Sequence, residues 1–246
     1  MIPLGDDNSG RRTTPLVNWA LIAANVFVFV FLQGFGTNER FTLAYAAVPY
    51  EILTGHDVVE KIPVQDEAGR TRGEIDLPPT PIPVFLTLLT SMFLHGGLAH
   101  LGGNMLYLAI FGDNVEDALG HARYLVFYLL CGVLAGLAHV ATTAIVGKGA
   151  LVPSLGASGA ISGVLSGYVV LFPRRRVRVL FFYSVMEVPA IVALGVWFLF
   201  QLVSGVGMLG GADTGVAYGA HIGGFLAGLI LVKPFAASRR AAWQGA

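Results

Sequence analysis

Charge is what this sequence has least of: 12% of its 246 residues are charged against 55% hydrophobic, with a mean hydropathy of +0.70. A soluble domain carries about a quarter charged residues, so that class is excluded and a polytopic membrane protein is expected. Net charge is absent too, because fifteen basic and fifteen acidic residues cancel. Bulk charge therefore recruits neither nucleic acid nor an acidic partner. Cys131 is the one cysteine, so no disulfide can form within the chain; it reads as a small core residue in an apolar run. No small-residue cleavage site comes after the N-terminal apolar segment, which is expected to remain as a first span.

What is present is a series of apolar runs. Thr13, Thr14 and Pro15 offer a hydroxyl cap and a first-turn proline, and residues 16–35 give a span of roughly 20 residues. Asn18 and Asn25 lie on it, and Asn25 reads as interhelical hydrogen-bonding glue. Residues 36–83 form a polar outer loop. Residues 84–95 are apolar but only about 12 long, and Gly96 and Gly97 break them from the next apolar run, which suits a re-entrant or interfacial helix. Residues 98–113 cross as span two, with Asp113, Glu116, Asp117 and Arg123 marking the next turn, and residues 124–146 return as span three. After an outer loop at 147–157, residues 158–172 make a short span four. Arg174, Arg175, Arg176 and Arg178 come next as a basic cluster, with Glu187 as an interfacial charge. Span five runs from near Pro189 to near Ser204, and span six covers residues 216–232, closed by Lys233.

Six spans put ten of the fifteen basic residues on one side, as the positive-inside rule requires. Counting residues 84–95 as a seventh would split them. The expectation is an all-α polytopic membrane protein with six transmembrane helices. It forms a single domain over 1–246, with its core at about 15–236 and short cytoplasmic tails at both ends.

Polar residues interrupt these spans at one depth. Spans two, four and six run from outside to inside, and His100, Ser158 and His221 each lie within about five residues of the outer start, less than roughly 10 Å deep. Polar groups there are costly unless they face the bundle interior or a water-filled cavity. Glycines at four-residue spacing, Gly159, Gly163 and Gly167 on span four and Gly224 and Gly228 on span six, let two backbones approach closely. Ser158 and His221 stand at the outer ends of these stripes. A serine hydroxyl next to a neutral imidazole is a nucleophile with its base. The Ser158 amide, at a helix N-terminus, and the side chains of His100 and Asn104, an i,i+4 pair, could serve as oxyanion donors. Asp213 is the only carboxylate close in sequence to His221, and a Ser-His dyad is expected without it. His95 and His100 fall on different helical faces with no third ligand, so no metal is expected. His95 reads instead as a hydrogen-bonding anchor for the re-entrant segment.

The segment from His95 through Gly96, Gly97 and His100 to Asn104 resembles the second-span motif of the rhomboid intramembrane serine proteases. The run Gly156-Ala157-Ser158-Gly159 with Gly163 resembles that family's Gly-x-Ser-Gly-x-x-x-Gly, and Ala220-His221 with Gly224 and Gly228 resembles its Ala-His-x-x-Gly-x-x-x-Gly. The similarity runs from Pro15 to Phe235 and is closest to the bacterial six-span form. It implies Ser158 as nucleophile, His221 as base, and His100, Asn104 and the Ser158 amide as the oxyanion hole. It also implies a first outer loop partly embedded in the membrane, a gate at span five or its loop, a bacterial inner membrane location, and transmembrane protein substrates within the lipid bilayer. No cofactor is expected. Ser162 occupies a position where some members carry a tyrosine stacked on the histidine. Inactive relatives that only bind transmembrane helices for trafficking or quality control are the alternative; they typically lack the nucleophile or the base. A channel would need polar residues through the full bilayer depth, and here they cluster near one face.

Overall fold

The computed structural model describes residues 1–65, 71–209 and 217–244. Strand β1 (Ile2–Asp6) precedes helix α1 (Leu16–Phe27), which passes into a π-turn over Val28–Leu32. Span one ends there rather than at residue 35, because Gly34, Phe35 and Gly36 all adopt positive φ, a conformation that stops a right-handed helix. Its start differs from expectation as well: no side chain caps it locally. Instead the amides of Val17 and Asn18 donate to the Glu116 carboxylate at 3.0 and 2.7 Å, and the Thr13 hydroxyl donates to Asp117 at 2.6 Å. The orphan amides of a helix N-terminus favour a negative charge, and here a neighbouring helix supplies it.

The first loop holds α2 (Glu39–Tyr45), α3 (Pro49–Thr54) and an antiparallel hairpin of β2 (Lys61–Gln65) with β3 (Thr71–Asp76). Helix α4 (Thr87–Thr90), flanked by 3-10 turns, then meets α5 (Leu98–Leu119) at an 81° bend. Residues 84–95 are expected as a re-entrant or interfacial helix broken at Gly96 and Gly97, and the chain does break between Phe93 and Leu98. The anchor, however, is Gln33: its side chain accepts from the His95 amide at 2.9 Å and donates to the His95 carbonyl at 3.0 Å. The His95 ring nitrogens have no partner among the described residues.

Helix α5 continues through the charges expected to mark a turn. Asp113 and Glu116 are buried, and because Arg11 and the start of α1 satisfy them, the helix has no reason to end until Gly120, where φ is +82°. There α6 (His121–Val146) begins, and α7 (Ser158–Leu171) comes after it. The basic cluster leads into a hairpin, with Arg176 and Arg178 on its first strand: β4 (Arg176–Phe181) pairs antiparallel with β5 (Ser184–Pro189), and β1 pairs with β4, giving the order β1-β4-β5. The all-α expectation is thus corrected to a mostly helical fold with two small sheets. Helix α8 (Ala190–Leu209) overruns Ser204 and continues through Gly205 and Gly207. Helix α9 (Tyr218–Gln244) carries Pro234 inside it and does not close at Lys233.

Among the described residues, His121–Val146 and Tyr218–Ala236 are long and apolar enough to cross a bilayer, and the bent pair ending in α5 makes a third if it counts as one span. Leu16–Leu32, Ser158–Leu171 and Ala190–Gly205 are shorter apolar helices. Large apolar side chains on the outside, among them Leu199, Phe200, Val203 and Ile230, are exposed, as lipid-facing helices require. Interhelical glue on α1 includes Asn18, which donates to the Leu108 carbonyl at 3.0 Å and accepts from the Tyr124 hydroxyl at 2.7 Å, and Asn25 lies against the Tyr128 hydroxyl of α6. Asn25 donates within its own helix, to Leu21.

Helices α7 and α9 meet along their glycines. A side chain at Gly224 would fall on the Gly159 carbonyl and one at Gly228 on that of Gly163. Helix α6 packs against both: Gly159 faces Ala135, Gly163 faces Cys131, and Gly223 faces Ala138. Cys131 is buried at that junction.

Candidate active site

The glycine contact fixes where the first turns of α7 and α9 lie. Ser158 is the first residue of α7 and His221 the fourth of α9, and His221 Nε2 stands 2.8 Å from Ser158 Oγ. Both side chains are part-buried. The Ser158 amide is one of the first four of its helix, which find no acceptor within it.

Helix α5 supplies the remaining expected residues. The Gly96 amide donates to His100 Nδ1 at 3.3 Å, so Nδ1 is the acceptor nitrogen and the ring proton sits on Nε2. That nitrogen faces the turn before Ser158: a Cβ at Gly156 would come within 2.8 Å of it. Gly156 has φ +122°, which further restricts the position to glycine. Asn104 is buried, and its Nδ2 has no acceptor among the described residues. His100 Nε2 thus lies by the turn that leads into Ser158, and Asn104 lies one helical turn further along α5. A cavity of about 40 Å³, lined by Ser91, Ser154, Gly156, Ser158 and His139 among others, adjoins the serine; it has room for a water molecule.

Ser162 donates its hydroxyl to the Ser158 carbonyl at 2.7 Å and makes no bond to His221. Asp213 lies outside the described residues. The partner of the second imidazole nitrogen is one that sequence reasoning missed: Gln201 Oε1 on α8 stands 2.8 Å from His221 Nδ1. Gln201 is buried. The available signal was a lone amide in an otherwise apolar helix, costly unless it is bonded. The Trp197 and Tyr218 rings flank the imidazole at centroid distances of 6.3 and 6.2 Å. Among the described residues, no three His, Cys, Asp or Glu side chains gather as metal ligands.

The family model of the Rhomboid domain matches residues 84–238, which include every residue of this site. The chain is 33% identical over 155 residues to Rhomboid protein 1, mitochondrial, of Saccharomyces cerevisiae, covering 59% of this chain and 40% of that protein. It is 32% identical over 139 residues to the human Presenilin-associated rhomboid-like protein, mitochondrial, covering 53% and 36%. It is 34% identical over 152 residues to the Rhomboid protease GluP of Bacillus subtilis, covering 60% and 26%. The matched stretch thus spans well under half the length of each of these relatives.

Proposed function

Because this membrane protein belongs to the rhomboid family, we propose that it is an intramembrane serine protease that cleaves transmembrane helices near their extracytoplasmic end. The observation that carries the reading is the 2.8 Å contact between Ser158 Oγ and His221 Nε2, side chains 63 residues apart in the chain. At that distance a neutral imidazole removes the hydroxyl proton as Oγ attacks a substrate carbonyl carbon. The Ser158 amide, His100 Nε2–H and Asn104 Nδ2 then donate to the developing oxyanion. The imidazolium returns its proton to the departing amine, leaving an ester on Ser158. Water, deprotonated by His221, attacks that ester and releases the second fragment.

The proposed topology has six crossings, made by α1, α5, α6, α7, α8 and α9 in alternating directions; its support is that the basic residues then collect on one side. That side is assigned as cytoplasmic and the membrane as a bacterial inner membrane, with the Ser158 end facing out. A substrate helix must unwind locally to present its carbonyl, so small or helix-breaking residues near the cut are expected.

The test is cleavage of a reporter membrane substrate by purified protein in lipid, together with fluorophosphonate labelling. Ser158→Ala and His221→Ala should each lower turnover by about four orders of magnitude or more without unfolding the protein, and the label should attach to wild type and not to Ser158→Ala. Unaltered turnover in either variant would remove the dyad. A folded wild type that neither cleaves nor labels would favour a helix-binding protein without catalysis.

A further inference from the structure

We propose that Gln201 is a positioning residue for this reaction: from α8 it holds the His221 ring in the tautomer and orientation that proton abstraction needs. The inference rests on the proteolytic reading above. An imidazole serves as base only through an unprotonated nitrogen, and which nitrogen that is depends on what the other one bonds. Here Nδ1 faces the Gln201 carbonyl oxygen at 2.8 Å, and a carbonyl oxygen only accepts. The ring proton is therefore held on Nδ1, and the Nε2 lone pair is left pointing at Ser158 Oγ, 2.8 Å away.

Other candidates for this task are engaged elsewhere. The Ser162 hydroxyl donates to the Ser158 carbonyl. Among the described residues no carboxylate pairs with His221; the ion pairs found lie at the other end of the bundle. Gln201 is also well fixed. It is 7% exposed, and the register of α8 on α9 is set near it by the Phe198 ring stacked on Phe225 at 4.0 Å and by Trp197 against both Phe225 and His221. The base and its acceptor thus ride on different helices, so a displacement of α8 away from α9 separates them.

A neutral amide orients the ring without adding a charge. Replacing it with a carboxylate keeps the acceptor but stabilises the imidazolium, and this gives the experiment two independent arms. Full-length wild type, Gln201→Leu and Gln201→Glu are compared in lipid for kcat, KM, the pH dependence of kcat/KM and the rate of fluorophosphonate labelling at Ser158. Gln201→Leu should lower kcat and the labelling rate by about tenfold, the worth of one hydrogen bond, with KM near that of wild type. Gln201→Glu should keep kcat within a few-fold. Because activity requires a neutral imidazole, its acid limb should move to higher pH by about one unit. The limb moves only if the side chain at position 201 stays against the base of the working enzyme, so the Glu arm tests that contact even if Gln201→Leu fails to fold. An active wild type whose two variants share its rate and pH profile overturns this inference alone. A wild type that neither cleaves nor labels removes the proteolytic reading, and this inference with it.

Discussion

Asn104 buries an amide nitrogen for which none of the described residues supplies an acceptor. A buried donor left unpaired costs about 1–3 kcal/mol, and proteins retain such groups where a partner arrives in another state. In the proposed reaction, the oxyanion formed at Ser158 is such a partner. Asn104→Ala should therefore lower kcat by about 10²- to 10³-fold with KM near wild type, as read in steady-state cleavage; a change confined to KM would assign Asn104 to substrate binding. Glu51, in α3, is a different case. One carboxylate oxygen accepts from the Val58 amide at 3.1 Å and the other has no partner among the described residues. Burial, and to a lesser degree the nearby Asp57, push its carboxyl above the ordinary range, with the Val58 amide pulling the other way. With the folded value raised, the unfolded chain releases this proton first, so the contribution of Glu51 to stability falls as pH rises from the ordinary glutamate value through the folded one. Glu51→Gln should raise Tm at neutral pH, and thermal scans between pH 4 and 8 should show that gain vanishing at the acid end. Ser158, His100, Asn104 and His221 were legible because each is a polar group in an apolar run, at a common distance from a span's start. Gln201 was not, because a single amide on a span reads equally well as glue between helices, and its partner lies in another segment.

The glycine contact sets the distance between the two helices that carry Ser158 and His221. A Cβ at Gly228 would meet the Gly163 carbonyl and Ser166 Oγ, while one at Gly195 on α8 would meet nothing within 4 Å. Backbone cannot rotate away as a side chain can, so Gly228→Ala should destabilise by about 1–3 kcal/mol and slow labelling of Ser158 by pushing α9 off α7. Gly195→Ala should be neutral or stabilise by up to ~1 kcal/mol through helix propensity alone. Thermal unfolding in detergent with fluorophosphonate labelling separates the two; equal Tm values would mean that the helices give way freely. These stripes were legible because a four-residue period returns to one helix face. The β1-β4-β5 sheet was not. Arg176-Val177-Arg178-Val179 does alternate, with Val177 and Val179 buried, but a period of two over so few residues is weak beside a run of arginines. Its partner β1 lies at the other end of the chain, where no local pattern announces it. Asp113 and Glu116 misled for a related reason: a charge reads as a helix end until the residue that neutralises it is placed nearby.

Across the whole molecule the site at one end of the bundle is matched by a polar clamp at the other. Tyr168, on the helix that begins at Ser158, donates to Asp6 at 2.5 Å. Asn114 on α5 donates to Asp6 at 2.9 Å and to Asn8 at 2.7 Å, and accepts from Arg175. Arg11 pairs with Asp113 at 2.5 Å. The N-terminal strand therefore ties α7 to α5, the two helices that carry Ser158 and the pair His100 and Asn104, at the end far from these side chains. Removing residues 1–8 deletes three of these bonds. At roughly 1 kcal/mol each and about 2–4 °C per kcal/mol for a chain of this size, these three alone put the fall in Tm on the order of 10 °C, and the lost pairing of β1 with β4 adds to it. Burial pushes the Asp6 carboxyl up from its ordinary range, against the pull of Tyr168, Arg175 and Asn114. Asp6→Asn, which keeps an acceptor oxygen without a charge to bury, should accordingly lose less than Asp6→Ala. Well below the lowered Tm, where the truncated protein stays folded, two outcomes have different meanings. Cleavage per folded molecule equal to wild type means that the glycine contact alone sets the distance from Ser158 to His221 and the clamp contributes only stability. A lower kcat in the folded, truncated protein means that the relative placement of α5 and α7 is fixed from the far end, because a rigid helix of 14 residues transmits a shift at Tyr168 directly to the serine at its start.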